Sequence, residues 1–180
     1  MFNSKNIATE IISEHNTHNG IRLFIEGSFH TIKQRLQIDI GFGDVVVPDP
    51  PTYIEYPVLL LESEVPVILA YSPETLVAEK FQAMIELSTI NSRMKDFYDV
   101  YKILKLESLE KSVKATFLNR QTYYTENHSL FSSEFFTDPG RLQMWRAFLN
   151  KIGHDEQLSF AKVMDTITIH LKPIWDGLKK

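Results

Sequence analysis

Tyr71-Ser72-Pro73-Glu74-Thr75-Leu76-Val77-Ala78-Glu79-Lys80 is where the sequence changes character. Ser72 can cap a helix. Pro73 suits the first helical position, where a missing N–H costs nothing, and Glu74 complements the positive end of the helix dipole. Leu76, Val77, Phe81, Met84 and Ile85 then recur at helical spacing. Short extended segments precede this point, and helical periodicity runs from it to the end of the chain.

Working back towards the N-terminus, Pro66 to Ala70 and Pro57 to Leu61 are strand-sized apolar runs. The segment from Val47 to Pro57 holds four of the eight prolines and is expected to be irregular, because proline cannot donate to a ladder. The clearest strand is Arg35 to Phe42, where Leu36, Ile38, Ile40 and Phe42 alternate with Arg35, Gln37, Asp39 and Gly41. Ile21 to Glu26 alternates in the same way except at Phe24. Gly27-Ser28 reads as a turn or bulge and Asn19-Gly20 as a turn. Between Ser4 and Glu14, the spacing of Ile7, Ile11 and Ile12 predicts a helix.

Working forward, Phe97, Val100, Tyr101 and Leu104 share a face of a helix expected from about Lys95 to Leu106. A third helix follows Ser108, and a fourth runs from the cap-then-proline pair Asp138-Pro139 to near Gly153. The last starts at Ser159 with a long apolar stripe from Phe160 to Leu178, kinked by Pro173. The expected fold is α+β: a small mixed sheet within residues 1–71, followed by a bundle of roughly five helices within residues 72–180.

At 180 residues, the chain has the length of one ordinary domain, or of a small domain with an appended bundle. Nineteen Lys and Arg against 23 Asp and Glu make a net charge of -4, which argues against a general nucleic-acid coat. The absence of cysteine excludes disulfides, zinc-thiolate sites and cysteine nucleophiles, and fits a reducing cytoplasm. No segment reaches the ~18 apolar residues that span a bilayer, and no basic region leads into an apolar run at the start. The expectation is a soluble cytoplasmic protein. No arginine has a histidine five positions on, and His154-Asp155-Glu156 lacks the cysteines a zinc deaminase needs, so nuclease and deaminase classes are disfavoured. His30, His128 and His154 fall in expected loops and read as surface residues.

Three places could carry chemistry. Asp39 stands mid-strand, where aspartate is depleted. A strand can aim one carboxylate at a metal, although a solvent-facing carboxylate beside Arg35 explains it as well. Lys80 lies among core-facing residues, and is either a lysine that snorkels to water or an ammonium placed for phosphate. Asp96 and Asp99, within Arg93-Met94-Lys95-Asp96-Phe97-Tyr98-Asp99, share a helix face. They either complement the dipole or reach Lys80 or a metal across the helix hairpin. Arg93 and Lys95 beside them could form surface pairs. Arg141, Trp145, Arg146 and Lys151 share one helix and read as a solvated face rather than a patch for RNA.

Leu-Gln-Ile-Asp-Ile (36–40), then Tyr-Ser-Pro-Glu-Thr-Leu-Val-Ala-Glu-Lys (71–80), then Arg-Met-Lys-Asp-Phe-Tyr-Asp-Val-Tyr (93–101), in that order, resemble the middle and C-terminal part of AbiEii-type nucleotidyltransferase toxins. The resemblance runs from about Asn3 to Leu106, and the later helices are compatible with it. It implies a partial nucleotidyltransferase-like core followed by a helical domain. It also implies Mg²⁺ and NTP as cofactors, transfer of a nucleoside monophosphate to an acceptor such as tRNA, and a toxin–antitoxin setting. By the same resemblance, Asp39 is a catalytic or metal-binding carboxylate, Lys80 and Asp96 are catalytic, and Lys80 and Asp99 contact nucleotide. The family's Gly-Ser turn and Asp-x-Asp metal motif have no counterpart here, because no Asp-x-Asp occurs in the chain. The family pattern places that segment before Met1. The expected partners are therefore an antitoxin, a missing N-terminal half, or a second copy covering the open sheet edge. Inactivity alone is expected, with a non-enzymatic protein that binds an antitoxin, nucleotide or RNA as the alternative.

Overall fold

Alternating apolar residues need a partner strand, and in the first part of the chain they find one. A computed structural model describes residues 2–14, 18–47, 51–57, 64–104, 109–153 and 158–179. By its contacts the chain divides into two compact units, residues 1–44 and 45–180.

The first unit is a three-stranded antiparallel sheet of β1 (Phe2–Glu14), β2 (His18–Phe29) and β3 (Ile32–Gly41), in that order. Ile7, Thr9 and Ile11 pair with Ile25, Leu23 and Ile21, which pair in turn with Leu36, Ile38 and Ile40. This register gathers eight apolar side chains and Thr9 on one face. Arg22, Phe24 and Glu26 lie on the other, opposite Asp39, Gln37 and Arg35.

The helix expected over Ser4–Glu14 is therefore a strand. A spacing of four, as between Ile7 and Ile11, fits both a 3.6-residue and a 2-residue period. The cross-strand partners on β2 decide in favour of the strand. Asn19-Gly20 is not a turn either, and of the turn or bulge expected at Gly27-Ser28 only an irregularity in the β1–β2 register beside Gly27 is found. Both lie inside β2, and Gly27 and Ser28 pair with Gln34 and Lys33. A Cβ on Gly20 would sit 2.9 Å from Ile12 Cγ1 and 3.0 Å from the Ile40 carbonyl oxygen, so close packing requires glycine there. The turn between β2 and β3 passes through His30, at φ 52°.

In the second unit β4 (Thr52–Glu55) pairs antiparallel with β5 (Val67–Ala70). Four residues inside the proline-rich stretch thus form a strand after all, with Pro51 and Pro57 outside the ladder. The run Pro57 to Leu61 lies largely outside the described residues. Among those described, both sheets are antiparallel, so the α+β class stands but the single mixed sheet does not.

Among the described residues six α-helices follow: α1 (Pro73–Leu87), α2 (Met94–Ile103), α3 (Leu109–Asn119), α4 (Ser133–Thr137), α5 (Pro139–Lys151) and α6 (Phe160–Asp176). Ser72, Asp138 and Ser159 each accept a hydrogen bond from the backbone N–H three residues on, as their sequence context predicts. Ser72 and Thr75 also donate to the Val47 carbonyl, at 2.6 and 2.7 Å, which ties the chain before β4 to the start of α1. The short α4 has no apolar periodicity long enough to announce it. Helix α6 runs through Pro173 to Asp176.

The core of this unit centres on Phe81 of α1, fully buried against Phe117 of α3, Phe131 and Trp175 of α6. No described helix is long and apolar enough to cross a membrane.

Candidate functional site

Helix α1 buries Val77, Ala78, Phe81 and Met84, which leaves Lys80 at the edge of its buried stripe. Its stem lies in the packed region, and its ammonium reaches α2. There Asp96 in the first turn and Asp99 one turn later point at the same place. Lys80 donates to Asp96 Oδ1 and lies 3.0 Å from Asp99 Oδ2. Lys95 closes the group from the outside, 2.6 Å from Asp99 Oδ2. Lys80, Asp96 and Asp99 are only 16, 16 and 20% exposed, whereas Lys95 is 72% exposed.

Burial disfavours the charged ammonium of Lys80. Hydrogen bonds to Asp96 and Asp99, with the charges of those carboxylates, outweigh it, so the Lys80 pKa is raised above its ordinary 10.5. The lysine is held charged and does not snorkel freely to water. The carboxylates are its fixed partners, and neither serves as the cap of α2, whose cap position Arg93 makes no side-chain capping bond.

Asp39 belongs to the first unit. Its carboxylate accepts a bidentate pair from Arg22 across the strands, with Arg22 Nε to Oδ1 at 2.8 Å and Nη2 to Oδ2 at 2.9 Å. Gln37 adds contacts at 3.2 Å. The Arg22 hydrogen bond holds the Asp39 pKa below 3.8. Its partner is thus Arg22 and not Arg35, which stacks on Phe24 with the guanidinium carbon 3.8 Å from the ring centre.

The helix read as a solvated face is only partly so. Arg141 is 4% exposed and Trp145 2%. Arg141 donates to the carbonyls of Phe135 (3.0 Å), Asn91 (2.7 Å) and Thr89 (2.9 Å) and stacks on the Phe135 ring. Trp145 Nε1 donates to the Leu158 carbonyl at 2.8 Å. Arg141 is a clamp on the segment before α2, a role that needs carbonyls some fifty positions away and leaves no periodic signal. Of the three histidines read as surface residues, His128 is half-buried against Trp175, His30 is exposed, and His154 is outside the described residues.

A family model for AbiEii, nucleotidyl transferase toxin of type IV toxin–antitoxin systems, matches residues 2–166. The chain belongs to that family. No curated protein and no solved structure matches it. The matched span contains Asp39, Lys80, Asp96 and Asp99. A divalent metal is what nucleotidyltransferases of this kind use, so the carboxylates can be tested for one. Among the described residues no three His, Asp or Glu side chains gather at one place. Asp39 is taken by Arg22, and Asp96 and Asp99 by Lys80 and Lys95. Octahedral Mg²⁺ needs oxygen ligands free to turn towards it. The residues present do not fit a two-metal site by themselves.

Proposed function

We propose that this chain is the phosphate-contacting part of a nucleotidyltransferase-like toxin, which transfers a nucleoside monophosphate from NTP to an acceptor such as tRNA. It does so only with a paired-aspartate segment supplied from outside these residues. The observation that carries this reading is Lys80, kept charged and fixed between Asp96 and Asp99 on two rigid helices. A charged, oriented ammonium suits a transferring phosphate, where catalysis is mostly positioning and electrostatic stabilisation. In this reading Lys80 and Asp99 meet the nucleotide, Asp96 positions Lys80, and Asp39 is the strand-borne carboxylate of the reaction.

The dominant stabiliser of the developing charge in such reactions is the metal pair, and one lysine does not replace it. The chain alone is therefore inactive. It works in the cytoplasm, where NTP and tRNA are found, and its toxin–antitoxin setting implies an antitoxin as partner. Strands β1 and β3 are the edges of the first sheet, and a homodimer through one of them would pair its free backbone groups. Incubation with labelled NTPs, Mg²⁺ and tRNA is expected to give no transfer. Label transfer that disappears in Asp39→Asn would overturn the inactivity.

The second reading is a non-enzymatic binding protein built on the same fold, favoured by the full engagement of every candidate carboxylate. Calorimetric titration with ATP and Mg²⁺ separates a chain that binds nucleotide through Lys80 from one that binds only an antitoxin or RNA. Binding that is lost in Lys80→Met supports the first reading, and absence of binding supports the second.

A further inference from the structure

An open groove of about 600 Å³ runs between the start of α2 and the side of α5. Arg93 and Lys95 stand on one bank and Lys151 on the other. Met144, Ala147 and Phe148 line it from α5, and Asp96 borders it next to Lys80.

The charge around it is uneven. Lys80, Lys95, Asp96 and Asp99 cancel as two cations and two anions. Arg93 and Lys151 remain, both exposed, and among the described residues neither side chain makes a hydrogen bond or ion pair. Among the described residues, the groove thus carries two positive charges with no ion-pair partner, in a chain whose net charge is -4. It is also a built feature. The Arg141 clamp on the carbonyls of Thr89 and Asn91 fixes the segment that leads into Arg93 against α5. Asn91 Oδ1 accepts from the Arg93 N–H at 2.8 Å. Phe148 is backed by Tyr98 and Trp145, with ring centres 5.6 Å away in each case, so its ring is supported from behind.

We propose that this groove binds a single-stranded nucleic-acid end, with Arg93 and Lys151 on its phosphates and a base against Phe148 and Met144. Paired cations alone would serve any acidic polymer. The apolar, aromatic-backed wall between them suits a base, since base–aromatic stacking tolerates any sequence and adds to phosphate contacts. Asp96, which accepts from Lys80, lines the groove, so a strand lying in it passes beside that ion pair. Naming that strand as the acceptor rests on the proposed nucleotidyl transfer. The binding does not.

The test uses the full chain and fluorescence anisotropy with labelled single-stranded RNA and DNA oligonucleotides. The expected result is binding that weakens steeply from about 50 to 200 mM salt, as phosphate contacts require. The double substitution R93E/K151E should lower affinity at least about tenfold. Lys111→Glu, an exposed cation on α3, should leave affinity within about twofold, and both variants should keep the wild-type urea midpoint. Equal affinity of R93E/K151E and wild type overturns the proposal, as does an acidic peptide that competes as well as RNA. RNA tighter than DNA would show that the 2′-hydroxyl is read, and equal affinities that only phosphate and base are. Strand binding that needs the groove, together with no Lys80-dependent ATP binding, would leave this inference standing and sink the proposed transfer. The reverse pattern would do the opposite.

Discussion

Replacing Arg141 with alanine removes the donors of three hydrogen bonds at 2.7–3.0 Å and the stack on Phe135 at once. Each bond comes from a charged donor, and losing such a bond costs about 1.5–3 kcal/mol where the acceptor cannot reach water. Two effects reduce the sum. The Thr89 and Asn91 carbonyls regain some solvent once the loop loosens, and the protein no longer has to desolvate a guanidinium. Burial is the first cause of the lowered Arg141 pKa and outweighs the help from Asp138. A net loss of about 3 kcal/mol is expected, which for a chain of this size lowers Tm by roughly 10 °C. Lysine should recover less than half of it, because one ammonium cannot reproduce a planar fork aimed at three carbonyls. The chain's two tryptophans, Trp145 and Trp175, both lie buried in the second unit, so urea unfolding followed by their fluorescence reports on the affected region. Arg146→Ala, exposed on the same helix, should stay within about 0.5 kcal/mol of wild type. If Arg141→Ala lost less than about 1 kcal/mol, the clamp would be no more than a surface contact and the rigidity claimed for the groove would fall with it.

Lys80→Met should destabilise by about 2 kcal/mol, since it leaves Asp96 without its cation in a poorly exposed place. Because the folded pKa of Lys80 is raised, the stabilisation is complete below 10.5 and lost as pH rises through the folded value. The gap between wild type and Lys80→Met should therefore narrow above about pH 10.5, in matched urea melts. His128 behaves in the opposite sense. Burial lowers its pKa from 6.5, against a hydrogen bond to the Ile85 backbone, and its Nδ1 accepts from the Leu130 N–H at 3.2 Å. The unfolded chain then binds the proton more readily, so stability should fall as pH drops through about 6.5, and His128→Gln should flatten that slope. For Asp39, a carboxylate NMR titration should give a pKa below 3.8 in wild type and a higher value in Arg22→Gln. An unchanged value would mean that the bidentate pair does not persist in solution.

The helices were the most legible part of this fold because their starts are chemical. Ser72-Pro73, Asp138-Pro139 and Ser159 each name a cap, and each side chain caps as named. The β1 strand reads as a helix in sequence because the spacing of Ile7 and Ile11 satisfies two periods, and only the pairing with β2 chooses between them. Gly20 looked like a turn for a similar reason. A glycine that makes room for Ile12 and the Ile40 carbonyl is indistinguishable in sequence from one that bends the chain. At the site, the order of Lys80, Asp96 and Asp99 was readable, and the structure brings all three together. The groove was not, since it is made by two segments some fifty residues apart whose approach depends on Arg141. A buried arginine among helical residues looks like any solvated one until its carbonyl partners are placed.

The pairing of Lys80 also has a consequence for how tightly an anion can be held there. The ammonium is already spoken for, so an incoming phosphate takes it by exchange rather than by addition. The affinity measured is the difference between two ion pairs, and the better Asp96 and Asp99 hold the lysine, the weaker the guest will seem. Neutralising the competitor, as in Asp96→Asn, releases the host. A variant that loses a native contact, and with it some stability, is then the one that should bind phosphate more tightly.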